Sequence, residues 1–90
     1  MRSTRTGLTG SRPDHVAENE LVPALDRYDN DQVRFHGANL HGEMHGAWEF
    51  FRRDGSLMRA GEFVRGRQIG VWRTFDRAGS VVKETDFGQP

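Results

Sequence analysis

The chain has 90 residues, and its 13 Lys and Arg balance 13 Asp and Glu, which bounds it to one domain with a small core. It contains no cysteine, and this excludes disulfides, thiolate metal ligands and thiol nucleophiles. No apolar run approaches the ~20 residues that cross a bilayer, and the N-terminus lacks the apolar segment of a signal peptide, so we expect a cytoplasmic protein.

The first predicted segment is a tail. Residues 1–20 are polar and aperiodic, and Pro13 would interrupt a helix. Such a segment has too little apolar surface to offset the entropy lost on ordering. We therefore predict a disordered tail over 1–20 and one β domain over 21–90.

The β domain contains a 24-residue repeat. The unit 33–56 aligns with the unit 57–80 without a gap, whereas 21–32 and 81–90 are degenerate or partial units. Eight positions are identical, where average residue usage gives about one or two: Gly37/Gly61, Gly42/Gly66, Gly46/Gly70, Trp48/Trp72, Phe51/Phe75, Arg53/Arg77, Gly55/Gly79 and Ser56/Ser80. A fixed period in this range indicates an array in which each unit packs against its neighbours.

The turns of the array follow from the same alignment. Asp54-Gly55 and Ala78-Gly79 each lie between β-branched and aromatic runs, so they predict tight hairpins with Gly at positive φ. Asn30-Asp31 lies one period earlier and predicts a third, degenerate hairpin. The segments 42–46 and 66–70, each bounded by two glycines, are expected to form the other turns.

These turns predict an all-β fold, a single-layer antiparallel β-meander of repeated hairpins. Its six strands are expected near 21–28, 33–39, 47–53, 57–64, 71–77 and 81–87. Counting outward from two-residue turns gives the opposed pairs Trp48–Gly61, Phe50–Arg59, Phe51–Met58 and Arg52–Leu57, then Trp72–Thr85, Arg73–Glu84 and Phe75–Val82. We expect each indole to lie over the small residue opposite it, where a missing side chain leaves room.

These residues resemble the MORN (membrane occupation and recognition nexus) repeat, most closely its bacterial variant. The matching residues are Gly42, Gly46, Trp48, Phe50, Phe51, Asp54, Gly55, Leu57, Gly61, Phe63 and Gly66, then Gly70, Trp72, Phe75, Gly79, Val81 and Phe87. With the repeat, the resemblance assigns structural roles to Gly37, Gly42, Gly46, Trp48, Phe51, Gly55, Gly61, Gly66, Gly70 and Gly79. Many small bacterial proteins of this variant are labelled antitoxins of toxin–antitoxin pairs, so the resemblance implies a cognate protein, such as a toxin, as partner.

No catalytic or metal-binding arrangement is visible in the sequence. No Ser lies in a nucleophile elbow, and the Gly42–Gly46 pair is unlike a phosphate-binding loop. Glu49, Glu62 and Glu84 could come together by chance, but Glu84 is expected to pair with Arg73. His36, His41 and His45 lie close in sequence, yet their equivalents in the next unit are Ala60, Arg65 and Ile69, so the repeat encodes no metal site. We predict a protein that is not an enzyme and has no cofactor or metal.

The leading functional hypothesis is a non-catalytic protein-binding module, an antitoxin or other inhibitor of a cognate protein. A narrow sheet cannot cover all its aromatic side chains, and uncovered ones mark partner surfaces. Trp72 is expected to be less covered than Trp48, because it lies nearer the end of the array. The residues assigned to the binding surface are Trp72, Phe75, Arg52, Arg59, Arg67 and Arg73.

The alternative hypothesis uses the uneven distribution of charge. Residues 52–77 carry seven Arg against three acids, whereas 21–51 carry two Arg against five acids. The Arg-rich segment 52–77 is suited to a membrane-phospholipid or nucleic-acid surface. Complementary ends and open sheet edges also favour a homo-oligomer formed by edge or end stacking.

Overall fold

The computed structural model describes residues 20–90, which form one antiparallel sheet of six strands. The strands are β1 (Val22–Arg27), β2 (Val33–Leu40), β3 (Glu43–Phe51), β4 (Leu57–Val64), β5 (Arg67–Phe75) and β6 (Val81–Asp86). Their order in the sheet is their order in the chain, so every connection is a hairpin. The predicted all-β single-layer meander is confirmed. The predicted tail over 1–20 lies outside the described residues, apart from Glu20.

Three hairpin loops, at 28–32, 52–56 and 76–80, share one geometry. In the middle loop the amide of Gly55 donates to the carbonyl of Arg52, and the amide of Arg52 donates to the carbonyl of Ser56, both at 2.9 Å. The other two loops repeat both hydrogen bonds one period away. The residue that closes each loop has a positive φ, 72° at Asp31, 90° at Gly55 and 91° at Gly79. The degenerate first hairpin therefore has the same turn, with Asp31 in the position of the glycine.

These loops are one residue longer than predicted. Three residues rather than two separate the last opposed pair, Arg52 and Ser56 in the middle loop, and an extra residue at a bulge, Met58 there, then restores the predicted register. Phe51 is therefore opposite Leu57, not Met58, and Phe75 is opposite Val81, not Val82. Away from the bulge the predicted pairs are confirmed: Trp48–Gly61, Phe50–Arg59, Trp72–Thr85 and Arg73–Glu84.

The two glycine-rich turns are shorter than predicted. His41 and Gly42 have φ values of 53° and 78°, and Arg65 and Gly66 have 52° and 79°, which is the signature of two-residue type I′ turns. β3 and β5 consequently start at residues 43 and 67 instead of 47 and 71. Gly46 and Gly70, predicted as turn residues, lie inside these strands at bulges and also have positive φ.

Gly55→Val is expected to lower the free energy of unfolding by more than about 1 kcal/mol, because a β-branched residue is strained at positive φ. Its Cβ would also lie only 3.1 Å from Oε1 of Gln32. Asp31→Gly, at the equivalent position, is the matched control and should change stability little, since relief of strain is offset by a more flexible unfolded chain. Urea unfolding measures both. A Gly55→Val protein as stable as wild type would contradict this turn.

The core lies on one face of the sheet, called here the aromatic face. Its buried residues are Trp48, Phe63 and Trp72, which are 2%, 8% and 4% exposed, and Phe35 and Phe50 pack against them. Phe63 meets both indoles edge to face, with ring centres 5.9 and 5.0 Å away, an arrangement that aromatic rings favour. Three large rings thus form the buried core of this thin fold.

Each indole lies over a glycine of the preceding strand. A Cβ on Gly37 would overlap the ring of Trp48, and a Cβ on Gly61 would overlap the ring of Trp72. The indole N–H of Trp48 donates to the carbonyl of Ala38 at 2.9 Å, and Trp72 makes the equivalent bond to Glu62 at 3.1 Å. The expectation that Trp48 covers Gly61 is therefore wrong, because its ring turns toward β2, where its N–H finds an acceptor.

Candidate binding surfaces

The six residues predicted to bind a partner do not form one surface. Arg59 is opposite Thr74, and the next pair along the strands joins Ala60 to Arg73, so Arg59 and Arg73 lie on opposite faces of the sheet. Arg52 lies in a hairpin loop, whereas Arg67 begins β5 at the other end of the strands. Phe75 is half-buried at the end of β5. Closeness in sequence did not bring these side chains together, because residues alternate between faces along a strand.

Trp72 is a core residue. It is 4% exposed, which is as buried as Trp48 at 2%, so the expected difference in cover between the two rings is absent. Phe63 packs edge to face on one part of the indole, and the guanidinium of Arg59 lies 5.7 Å from its ring centre. Neighbouring side chains cover Trp72 without a further repeat beyond β6.

Arg52 connects two hairpin loops. Its guanidinium donates to Oγ of Ser56 and to the carbonyl of Leu57, both at 3.2 Å, and to the carbonyl of Phe75 at 2.5 Å. Tyr28, one period earlier, donates its hydroxyl to the carbonyl of Phe51 at 2.8 Å. Both side chains thus reach from one loop to the end of a strand in the next hairpin. The hydrogen bonds of Arg52 therefore stabilise the fold.

Ion pairs also connect successive loops. Arg53 contacts Asp29, and Nε of Arg77 donates to Oδ2 of Asp54 at 2.7 Å. Asp54 accepts hydrogen bonds from the hydroxyl and the amide of Ser56 as well, and these bonds, then Arg77, hold the pKa of Asp54 well below its usual 3.8. Because its pKa is lower in the folded state, the ionised Asp54 stabilises the fold at pH values above its pKa in the unfolded state. This contribution is lost as the pH falls toward its pKa in the folded state. Solvent screening keeps the contribution small.

The exposed part of the aromatic face combines rings with cations. The guanidinium carbons of Arg34 and Arg59 lie 5.3 and 4.9 Å from the ring centres of Phe35 and Phe50. A shallow depression of about 170 Å³ lies beside Arg59, and Lys83 also lines it. In residues 20–90 no helix or second sheet covers this face. The result is an open surface of half-buried rings bordered by positive charge.

The opposite face carries more carboxylates. Nε2 of His36 lies 2.8 Å from Oε1 of Glu49, and Nε of Arg73 donates to Glu84 at 2.7 Å. The expected Arg73–Glu84 pair is therefore confirmed. Glu49 and Glu84 are thus each in contact with a basic side chain of their own. Within residues 20–90 no three His, Asp or Glu side chains come together as a metal ion requires.

A feature that the sequence reasoning missed is where the exposed apolar residues lie. The large exposed hydrophobic residues, Val71 apart, belong to the two outer strands or adjoin them: Leu21, Val22, Leu25, Val81, Val82 and Phe87. Phe87 is the repeat equivalent of Phe63, but it is 46% exposed against 8%. The signal was available in the alignment, because within residues 20–90 no neighbouring unit covers these positions as one covers their equivalents.

Together these contacts define a single-layer β protein built from 24-residue repeats, with a ring-lined face and two apolar edges. Comparisons with protein families, curated proteins and solved structures find no match for the chain. Residues 20–90 include no helix that could cross a membrane.

Proposed function

We propose that this chain is a non-catalytic protein-binding module of MORN-variant type, which acts on a cognate protein as an antitoxin or other inhibitor. One observation carries the binding role: the aromatic face is open, with Phe35 and Phe50 only half-buried and Arg59 lying across the ring of Phe50. Uncovered aromatic surface of this kind marks partner contacts in small proteins. The antitoxin role is supported by the resemblance of the repeat residues alone.

The chemistry of the aromatic face suggests the character of the partner. Aromatic residues and Arg are enriched among the residues that dominate protein interfaces. Three cations border the rings, Arg34, Arg59 and Lys83, and the acid among them, Asp26, is paired with Arg34. The complementary partner is a protein surface with an apolar centre and acidic side chains around it.

The test starts from the protein that co-purifies with the full chain from its native host, identified by mass spectrometry and then purified. Calorimetric titration should show that Arg59→Glu weakens binding by about tenfold or more. Arg73→Glu makes the same charge change on the opposite face and should alter the affinity by less than about twofold. Circular dichroism confirms that both variants are folded. Equal losses for the two variants would contradict the assignment to the aromatic face.

A second titration tests the alternative phosphate-binding role of the segment 52–77. Phosphatidylcholine vesicles containing phosphatidylglycerol and a single-stranded oligonucleotide are the probes. Binding to phosphate weakens steeply with salt, whereas an interface centred on aromatic rings weakens less. Tight, steeply salt-dependent binding to either probe, with no protein partner recovered, would overturn the proposal.

A further inference from the structure

The repeat places the two outer strands in complementary positions. β1 is the equivalent of β3 and β5, which end one and two periods later, and β6 is the equivalent of β2 and β4. Within the sheet, β2 is followed by β3 and β4 is followed by β5, both antiparallel. A strand equivalent to β1 is therefore the natural neighbour for β6.

We propose that two copies of this chain associate head to tail, with β6 of one copy paired antiparallel to β1 of a second copy in the register of the internal pairs. In those pairs Arg59 is opposite Thr74 and Ala60 is opposite Arg73. Lys83 is the repeat equivalent of Arg59, and Asp26 is the repeat equivalent of Thr74. This register therefore sets Lys83 opposite Asp26 of the second copy. It also sets Glu84 opposite Leu25 of the second copy.

Charges at this junction are complementary. Lys83 makes no ion pair within residues 20–90, and the register brings it to the carboxylate of Asp26, which also contacts Arg34 of its own copy. In the loops, Arg53 contacts Asp29 one period earlier. The same spacing across the junction brings Arg77 to Asp29 of the second copy. Opposite charges on adjacent antiparallel strands stabilise the pairing and select the partner strand.

Side-chain sizes change together at the junction. Inside the sheet, Trp48 lies over Gly37 and Trp72 lies over Gly61. One period after Gly61 the residue is Thr85, whose side chain leaves no room for an indole. The residue of β1 that corresponds to the tryptophans is Ala24, whose methyl side chain does not need that room. β1 thus lacks the indole at the position where β6 lacks the space for one, so the two copies pack without overlap.

Pro23 lies in β1, where a proline normally blocks pairing at a sheet edge. Its repeat equivalents, Ala47 and Val71, lie in bulges and have no opposed residue in the preceding strand. Pro23 therefore lies outside the opposed pairs of the junction, where its missing N–H interferes least. Val22 replaces the bulge glycines Gly46 and Gly70, and the equivalents of Ala24 are also unpaired, so the pairing is confined to the part of β1 from Leu25 onward.

Disulfide trapping tests the register, because the chain has no cysteine of its own. Opposed Cα atoms in antiparallel strands are about 4.5–5.5 Å apart, within the range that a disulfide spans. Asp26→Cys mixed with Lys83→Cys should yield the mixed disulfide dimer on mild oxidation. Leu25→Cys mixed with Lys83→Cys is the control and should yield little, because Leu25 is one residue out of register and on the other face.

Sedimentation of the full chain over a range of concentrations supplies the non-covalent measurement. The mean mass should rise with concentration, and Lys83→Glu should weaken association by about fivefold. Arg65→Glu, with the same charge change at the turn between β4 and β5, should have no effect. A monomer at every concentration with no mixed disulfide overturns the proposal, as does equal trapping of Leu25→Cys and Asp26→Cys. Predominant homodimers of either single-cysteine variant likewise overturn it. None of these outcomes bears on binding of a cognate protein by Arg59.

Discussion

Trp48→Ala and Trp72→Ala are each expected to lower the free energy of unfolding by about 3–5 kcal/mol. Both indoles are almost fully buried, and both donate a hydrogen bond to the preceding strand. Removing either ring opens a cavity above a glycine, which has no side chain to fill it. Because small domains have only about 5–15 kcal/mol of stability, either variant should lose a large share of its stability and unfold at a much lower urea concentration.

Urea unfolding followed by circular dichroism measures this loss for both variants. Val82→Ala is the control, because Val82 is 62% exposed and its truncation should cost less than about 0.5 kcal/mol. Similar losses for Trp48→Ala and Trp72→Ala are the outcome that equal burial requires. A Trp72→Ala protein nearly as stable as wild type would show that its indole is a surface group after all.

Gly61→Ala is expected to destabilise the sheet by about 3 kcal/mol, the upper end of the usual cost of overpacking. Its Cβ would overlap rigid ring carbons of Trp72 rather than the end of a flexible side chain. The φ of Gly61 is not positive, so the cost is steric. Gly79→Ala is the contrasting case, since its Cβ meets nothing within 4 Å but its φ is 91°, and it should cost only about 1 kcal/mol.

The double variant Gly61→Ala with Trp72→Ala identifies the source of the cost. The new methyl group then occupies space that the indole has left, so the loss of stability should be smaller than the sum of the two single losses. Thermal and urea unfolding of the four proteins in the cycle give the coupling energy. Strict additivity would mean that Trp72 does not lie over Gly61.

Much of the fold was predictable from the repeat. The number of strands, their order and the pairs Trp48–Gly61 and Trp72–Thr85 follow from alternation and from hairpin signals. The loop length was not predictable, because Asp54-Gly55 suits both a two-residue turn and a three-residue loop, and the hydrogen bond between Arg52 and Ser56 decides between them. The sequence does not distinguish the bulges at Gly46 and Gly70 from turns, because a glycine at a bulge has the same positive φ as a glycine in a turn.

The surfaces were less predictable than the fold. Arg59 and Arg73 are both cations of one Arg-rich segment, yet the pleat sends them to opposite faces. The sequence predicts that Arg52 binds a partner, but it donates to the carbonyl of Phe75 in the next hairpin, a contact that becomes visible only once the loops are aligned in space. Residue type and spacing show which side chains are present, whereas register decides which of them share a surface.

The contacts of each hairpin reach only the next one, and this has a consequence for how the sheet comes apart. Strands contact chiefly their sequence neighbours, and the bridges from Tyr28 to Phe51 and from Arg52 to Phe75 span one repeat. With no strand inserted between distant parts of the chain, folding requires only short loop closures and should be fast for a β protein. In the monomer, opening then starts at the ends, so the amides of β1 and β6 exchange with solvent first and those of β3 and β4 last.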